Sequence, residues 1–415
     1  MGGQVLIIGG GASGLMAAIT AARNGAAVTV LEQNDRPGRK LLATGNGRCN
    51  LTNFDMSSSH YHCPDPSFPG KIIDCFSEKK TLDFFHSIGL LTKDRNGWVY
   101  PVTDQSLSVL NLLLMTARRL GVKIKTNERV ISAGKDSAGI YAVKTGTWTY
   151  HAGSLVVACG SPASEVRGSS DDLTVFAGCF GIPVSGFLPS LLPLRVKGRG
   201  TKTWNGTRVH AKVTLLIDGS KAASDTGELQ LTQDTVSGIP VFQISGAAVA
   251  ALKKGRDVTA VLDLMPEMTE DDVRGELERR IKAFPGITAS EMLTGLLPDR
   301  LAAAVLEAAG RNASPAVLAS LIHHFAVNVT GSASVKQAQT CSGGVRTDAL
   351  TEHLESRRVS GLFFCGETVD LYGDCGGYNL QWAWSSGYVA GLYAAQSARR
   401  PDRSSGRDDF SDNRR

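Results

Sequence analysis

The chain has 415 residues, 42% of them hydrophobic and 20% charged, with a formal net charge of +5. That length predicts two or three domains with a sizeable core, in the composition range of a soluble globular protein. The mild positive charge suits an acidic partner, such as RNA or a carboxylate or thioester substrate, but a solvated surface explains it as well. The eight cysteines (Cys49, Cys63, Cys75, Cys159, Cys179, Cys341, Cys365 and Cys375) include no CxxC or CxxxxC pair. That spacing argues against a zinc site or a redox-active disulfide and for a reducing, cytoplasmic compartment. No run of about 18 apolar residues suits a membrane span. The apolar N-terminus also lacks the basic segment of a signal peptide.

In chain order, Val5–Ile8 is a short apolar run ending in glycines, as in a strand buried on both faces of a parallel sheet. Ser13–Asn24 reads as a helix with Leu15, Ala18, Ile19 and Ala22 on one face and Gly25 as its stop. Val28–Leu31 is a second buried strand, ending at Glu32. Leu107–Leu120 reads as a helix, Val122–Lys125 and Ile140–Lys144 as strands, and Leu155–Ala158 as another buried strand closed by Cys159-Gly160. From Pro189 to Leu264 polar and β-branched residues alternate, as in His210–Ile217, which predicts antiparallel β structure. Met268–His324 is rich in Glu, Arg, Leu and Ala and reads as helical. Leu362–Gly366 returns to a buried strand, and Leu380–Ala398 closes the chain as a helix.

The predicted class is α/β: a discontinuous Rossmann-type domain with an inserted antiparallel β domain and a small helical domain. The boundaries read as residues 1–188 for its first part, 189–265 for the β insertion and 266–326 for the helical module. A return strand follows over 327–342, the second part of the nucleotide domain over 343–398, and a polar disordered tail over 399–415.

Chemistry enters at Gly9-x-Gly11-x-x-Gly14. Glycine-rich turns are common, but this one follows a strand, opens a helix, and has Glu32 ending the next strand. Gly9 permits the tight turn, Gly11 lets a pyrophosphate approach the backbone, and Gly14 lets helix and strand pack closely. The helix N-terminus adds amide donors and a partial positive charge. Glu32 is expected to bind a ribose 2′-hydroxyl and to repel a 2′-phosphate, which argues against an NADP as the tightly bound nucleotide. Three later segments favour FAD over NAD. Arg39-Lys40 with Gly45-Asn46-Gly47-Arg48-Cys49-Asn50 is a donor-rich, glycine-broken loop suited to a pyrophosphate or ribityl chain. Leu155–Gly160 has the form of a second nucleotide-side turn. Phe364-Cys365-Gly366-Glu367 with Gly376–Leu380 places an acid at a strand end ahead of a helix N-terminus, where amides stabilise charge gathering on a reduced flavin. No second GxGxxG follows a strand, so a nicotinamide must dock without its own Rossmann domain.

Together these segments resemble the BaiN/RdsA family of NAD(P)/FAD-dependent oxidoreductases. The resemblance runs from Val5 to about Ala395 and is carried by PGRKLLATGNGRCNLTN, GWVYPVTDQSLSVLNLL, FLPSLLPL, SGIPVFQIS and CSGGVRTDAL, then by GLFFCGETVDLYGDCGGYNLQWAWSSGYVAG. It implies a three-domain fold with tightly bound FAD and NADH or NADPH as transient reductant. Carried over by position, FAD contacts Gly9, Gly11, Ala12, Ser13, Gly14, Glu32, Gln33, Arg39, Lys40, Gly45, Asn46, Gly47, Arg48, Cys49, Asn50 and Val130. Its further contacts are Gly366, Glu367, Asp370, Gly377, Tyr378, Asn379 and Leu380.

The resemblance also implies two activities of one chemistry, addition of hydride and proton across an enone-like C=C. One acts on 3-oxo-Δ4,6 bile-acid intermediates, including CoA-linked ones, in 7-dehydroxylation. The other makes dihydrouridine in 23S ribosomal RNA, and some relatives carry an amine-oxidase name. Many relatives read THxGLSGP where this chain reads Thr232 to Ile239 without that His, Gly and Pro, and Ser161–Val166 replaces a glycine-rich stretch. These departures favour a small-molecule role over the RNA role. For the latter, Arg195, Lys197, Arg199, Lys202 and Arg208 offer a basic stretch whose commoner meaning is a solvated face.

No catalytic residue or metal site is assigned. Cys49, Tyr372 and Tyr378 are the candidate proton donors. His323-His324 reads as a surface or packing pair, Asp271-Asp272 as a helix-start acid pair and Asp171-Asp172 as a loop.

Overall fold

A computed structural model describes residues 3–311 and 313–399. The predicted disordered tail lies, from residue 400 on, outside the described residues. The chain divides into two compact units. The first comprises the residues up to Pro162, Val166–Phe187 and the chain from Gly343; the second comprises Ala163–Glu165 and Leu188–Ser342.

The first unit is built on a five-stranded parallel sheet of Gln4–Ile8, Ala27–Leu31, Lys123–Lys125, Ser154–Val157 and Leu362–Phe364. Gln4–Ile8 is central, with Leu6 opposite Leu155 on one side and Thr29 on the other. The uninterrupted apolar run that predicted burial on both faces is buried so: Val5, Leu6, Ile7, Leu155, Val156, Phe363 and Phe364 are fully inaccessible. The helix Ala12–Arg23 starts one residue earlier than predicted and is buried from Ser13 to Ala21, well beyond one face. The closing helix Tyr378–Ser397 causes this. Gly387 and Gly391, one turn apart, come so close that added Cβ atoms would stand 2.4 Å from the Ser13 carbonyl oxygen and 2.3 Å from that of Ala17. Asp171-Asp172, predicted as a loop, instead opens the helix Asp172–Cys179, and Asp172 pairs with Arg129 at 2.9 Å. Acids at a helix start complement its dipole, which the loop reading overlooked.

The second unit holds a closed six-stranded barrel of Leu194–Lys197, Thr235–Ser237, Ser220–Leu231, Thr207–Ile217, Val258–Asp263 and Phe325–Ser332. Ala211, Val213, Leu215, Ala260 and Leu262 are buried at alternate positions. The wholly β reading of this segment missed one helix, Ile239–Lys253. Its β-branched and aromatic start hid it, although Pro240 in its first turn is a legal helix opener. Four further helices follow, Glu270–Ala283, Ala289–Leu293, Asp299–Ala309 and Pro315–His323. Asp272 closes a capping box with Thr269, and Glu291 one with Thr288.

His323 is buried with Nδ1 2.9 Å from Asp263 Oδ1, whereas His324 is exposed beside Glu270 at 3.3 Å. Arg195, Lys197, Arg199, Lys202 and Arg208 are all exposed. No helix among the described residues is long and apolar enough to cross a membrane, and no group of three or more His, Cys, Asp or Glu side chains there is arranged to hold a metal.

Candidate functional site

The candidate site is built from the loops at the C-terminal ends of the parallel strands. The turn after Gln4–Ile8 separates the roles of its three glycines. Gly9 has φ +104°, and a Cβ there would stand 2.3 Å from the Ala158 carbonyl oxygen. A Cβ on Gly14 would stand 2.0 Å from the Gly9 carbonyl oxygen. One on Gly11 would meet nothing within 4 Å. Two glycines are therefore demanded by the protein's own packing, while the third opens the backbone outward, as a phosphate-binding turn requires. Ala12, Ser13 and Gly14 form the first helical turn, whose amides have no acceptor within the helix.

Glu32 ends the second strand nearly buried. Its Oε2 accepts from the Gly10 amide at 2.9 Å, and its Oε1 from the amide and side-chain nitrogen of Asn34, both at 2.8 Å. The acid that the sequence assigns to a ribose thus also ties the glycine turn to the second strand. Its own amide donates to Lys125, and its carbonyl accepts from Glu128, two residues before the buried Val130. Gln33 Nε2 donates to the Gly168 carbonyl at 2.8 Å.

Arg39 and Lys40, read as part of a loop, open the five-residue helix Arg39–Ala43. Arg39 pairs with Asp35, and its buried Nε has no partner. Lys40 Nζ reaches Glu367 Oε2 at 2.7 Å, and Ser161 Oγ donates to the same oxygen. Thr44–Gly47 forms a 3-10 turn with Gly45 and Asn46 in left-handed conformations. Arg48 is exposed.

Cys49 is fully buried. Burial pushes its thiol up to about 12, against a hydrogen bond from Thr44 that pulls the other way. Cys49 is therefore an enclosed, neutral thiol. Asn50, with its side-chain nitrogen donating to the carbonyls of Thr52 (3.0 Å) and Val99 (3.1 Å), accepts from the Gly377 amide at 3.2 Å.

The last strand delivers Gly366-Glu367-Thr368 as a 3-10 turn, and Asp370 Oδ1 accepts from the Gly343 amide at 2.8 Å. Gly377 caps the closing helix in the left-handed region, and a Cβ there would stand 2.7 Å from the Thr52 carbonyl. Tyr378, Asn379 and Leu380 supply the first-turn amides. The Asn379 side chain bonds the Gly373 amide and carbonyl at 2.8 and 2.7 Å, fixing the preceding loop. Tyr378 is buried, and burial raises its phenol to about 12, assisted by the charges of Asp55 and Asp374. Tyr372 is buried against the ring of His62, 4.7 Å between centroids.

Two features escaped the sequence reading. Ser161 bonds the Glu367 carboxylate from a stretch read only as a departure from its family. His60, His62 and Asp374 form one hydrogen-bonded group beside Tyr378. Two histidines at i and i+2 in the sequence were the available signal; their carboxylate lies more than 300 residues away.

Comparison with known proteins agrees with this geometry. The family model described as "HI0933-like protein Rossmann domain" matches residues 3–393. The 3-dehydro-bile acid delta(4,6)-reductase of Clostridium scindens is 42% identical over 406 residues, covering 95% of this chain and 99% of that one. The ribosomal RNA dihydrouridine synthase of Haemophilus influenzae is 27% identical over 402 residues, covering 93% and 97%. Among solved structures, the 3-ketosteroid delta1-dehydrogenase of Sterolibacterium denitrificans, in complex with 1,4-androstadiene-3,17-dione, superposes with a TM-score of 0.50 at 11% identity, covering 95% and 99%. This last likeness is one of fold. The chain belongs to the HI0933-like Rossmann family, of the BaiN/RdsA type, and is a flavoprotein oxidoreductase.

Proposed function

We propose that the protein holds FAD in the first unit and uses NADH or NADPH to reduce the conjugated C=C of an enone-like small molecule, with a 3-oxo-Δ4,6 bile acid as the specific substrate. The observation that carries this is the 42% identity to the bile-acid reductase over nearly the full length of both chains. The open backbone at Gly11, set between glycines that the packing demands, supports a dinucleotide on that turn. In this reading the amides of Ala12, Ser13 and Gly14 hold the pyrophosphate with Arg39, and Glu32 takes a ribose hydroxyl. Lys40 and Ser161 orient Glu367 toward the ribityl chain, while Tyr378, Asn379 and Leu380 direct amides at the flavin ring. Gly45–Asn50, Val130 and Asp370 complete the cradle.

FAD would supply the hydride that reaches the substrate β-carbon. The chain's part is to bind and orient both molecules, exclude water, and provide the proton for the α-carbon. The domain boundaries given above and a cytoplasmic location belong to the same reading. Ribosomal RNA is the second reading, favoured by the 27% identity to the dihydrouridine synthase. The test is to release and identify the bound cofactor by chromatography, then follow nicotinamide oxidation with a 3-oxo-Δ4,6 steroid and analyse the product by mass spectrometry. A product heavier by two hydrogens is expected. No flavin, or consumption only with ribosomal RNA, would overturn the steroid reading.

A further inference from the structure

A small antiparallel sheet of Thr52–Asn53, Trp98–Pro101 and Thr92–Arg95 lies inside the first unit, and its register decides what each face carries. Arg95 stands opposite Trp98, which stands opposite Asn53, and Lys93 stands opposite Tyr100. Side chains alternate along a strand, so Lys93, Arg95, Trp98 and Tyr100 share one face, while Asp94 and the buried Val99 take the other. On the shared face the Arg95 guanidinium lies over the Tyr100 ring, 5.4 Å from its centroid. Trp98 and Tyr100 are half-buried and Arg95 is exposed.

The charge of this face is unbalanced. Lys93 Nζ and Arg95 Nη2 both reach Oδ2 of Asp104, at 2.5 and 2.8 Å. The bond from Lys93, with the charges of Arg95, Lys93 and Arg48, holds the Asp104 carboxyl below the usual range, so the exposed Arg48 belongs to the same cluster. Three cations thus share one carboxylate. Asp94, on the other face, accepts from the Gly97 amide at 2.7 Å. Asp55 and Asp374 are taken up by His60 and His62, and against the opposing effect of partial burial they raise the His60 pKa.

The face also adjoins the candidate cofactor cradle. A Cβ on Gly376 would stand 3.3 Å from the Trp98 ring, and Asn53 Nδ2 donates to the Gly376 carbonyl at 3.0 Å. Gly377, next in the chain, caps the closing helix, and Arg48 belongs to the glycine-broken loop. A solvated face is the common meaning of scattered lysines and arginines. It does not account for aromatic rings set among the cations and against the site. Rings to stack on and cations in excess are together what a nucleotide requires. The carboxylate tail of a steroid would engage a cation but brings no planar base for the rings.

We propose that this face docks the adenine-nucleotide half of the reduced nicotinamide, with the base on the aromatic pair Trp98 and Tyr100 and the phosphates on Arg48, Lys93 and Arg95. The inference rests on the reading that NADH or NADPH reduces the flavin. It supplies the docking place that a chain with one dinucleotide fingerprint otherwise lacks. The Gly9–Gly14 turn is left to FAD, so the two dinucleotides occupy separate, neighbouring sites.

The test uses FAD-loaded holoenzyme of the wild type, Arg95→Met, Arg95→Lys and Trp98→Leu, with flavin content checked by absorbance. ADP-ribose, which carries the nucleotide half without the nicotinamide, is titrated by calorimetry at low and high salt. Coenzyme A and a short oligouridine are titrated in parallel. Flavin reduction is then timed against NADH and NADPH concentration, and dithionite-reduced flavin is mixed with the enone.

We expect ADP-ribose to bind roughly tenfold more weakly to Arg95→Met and to Trp98→Leu, the loss of one charge-assisted hydrogen bond or one base–aromatic stack. Salt should weaken wild-type binding more than binding to Arg95→Met, and Arg95→Lys should recover part of the loss. The nicotinamide concentration for half-maximal reduction should rise by the same factor, with the limiting rate and reoxidation by the enone unchanged. Should Trp98→Leu lose its flavin, Arg95→Met, altered at an exposed side chain, still decides. Wild-type ADP-ribose affinity in Arg95→Met, or weakening confined to coenzyme A or oligouridine, would overturn the docking face alone. A wild-type flavin that neither nicotinamide reduces would overturn the face together with the reading it serves.

Discussion

At the scale of single residues, the glycine turn separates demands that a sequence motif merges. Gly14 answers to packing, whereas Gly11 faces open space that the proposed reading gives to a ligand. Gly14→Ala forces a carbon to 2.0 Å from a backbone oxygen, and overpacking of this kind costs about 1–3 kcal/mol. Gly11→Val meets open space. The expected outcome is a lowered melting temperature for apo Gly14→Ala, and an unchanged one for apo Gly11→Val with its flavin lost; calorimetry and visible absorbance read both.

Glu32 gives a second prediction. Its oxygens accept three N–H bonds in a buried place, so Glu32→Gln turns a donor toward donors. The cost is about 1–3 kcal/mol in a denaturant titration of apoprotein, the penalty for an unsatisfied buried group. The fingerprint and Glu32 were legible because their meaning is local, strand, turn and helix within about thirty residues. The bracing role of Glu32 toward Asn34 was not, because it depends on how the loop after the strand folds back.

At the scale of elements, the closing helix depends on the close approach of Gly377 to Thr52 and on the Asn50 brace. Gly377→Ala must bear a φ of +99° and a contact of 2.7 Å, both against an L side chain. It should unfold with a melting temperature several degrees lower, as about 1 kcal/mol or more implies.

The His60 group adds a pH signature with a definite sign. Its pKa is raised in the folded state above the ordinary 6.5. The stability it contributes is therefore fully present below about pH 6.5 and is lost as pH rises through the folded-state pKa. The advantage of wild type over His60→Gln, read as a difference in melting temperature, should shrink over that interval. Elements with a strong period were legible, as were the parallel strands. The helix Ile239–Lys253 was not, because it is apolar around much of its circumference and shows little period. The His60 group was invisible for a different reason: its histidines and carboxylate meet only through the pairing of Tyr61–His62 with Tyr372–Gly373.

At the scale of the whole molecule, the first unit is assembled from segments at both ends of the chain, and each contributes to the candidate site. Lys40 from the first segment and Glu367 from the last meet at 2.7 Å, which ties the two segments together, and the proposed FAD cradle would couple cofactor binding to closure of this unit. Ligand binding to the folded state adds RT ln(1 + [L]/Kd) to stability, about 2.7 kcal/mol at a hundredfold excess over Kd. The holoprotein should therefore melt above the apoprotein, and Lys40→Met should narrow the gap.

The central claim is hydride transfer from a nicotinamide to an enone through a bound flavin, and anaerobic stopped-flow absorbance tests it most directly. The purified protein is reduced with NADH or NADPH, then mixed with a 3-oxo-Δ4,6 bile acid or, separately, a ribosomal RNA fragment. The account predicts that nicotinamide bleaches the flavin and that the bile acid alone restores its colour rapidly. A flavin that neither nicotinamide reduces, or one that only the RNA reoxidises, would contradict it.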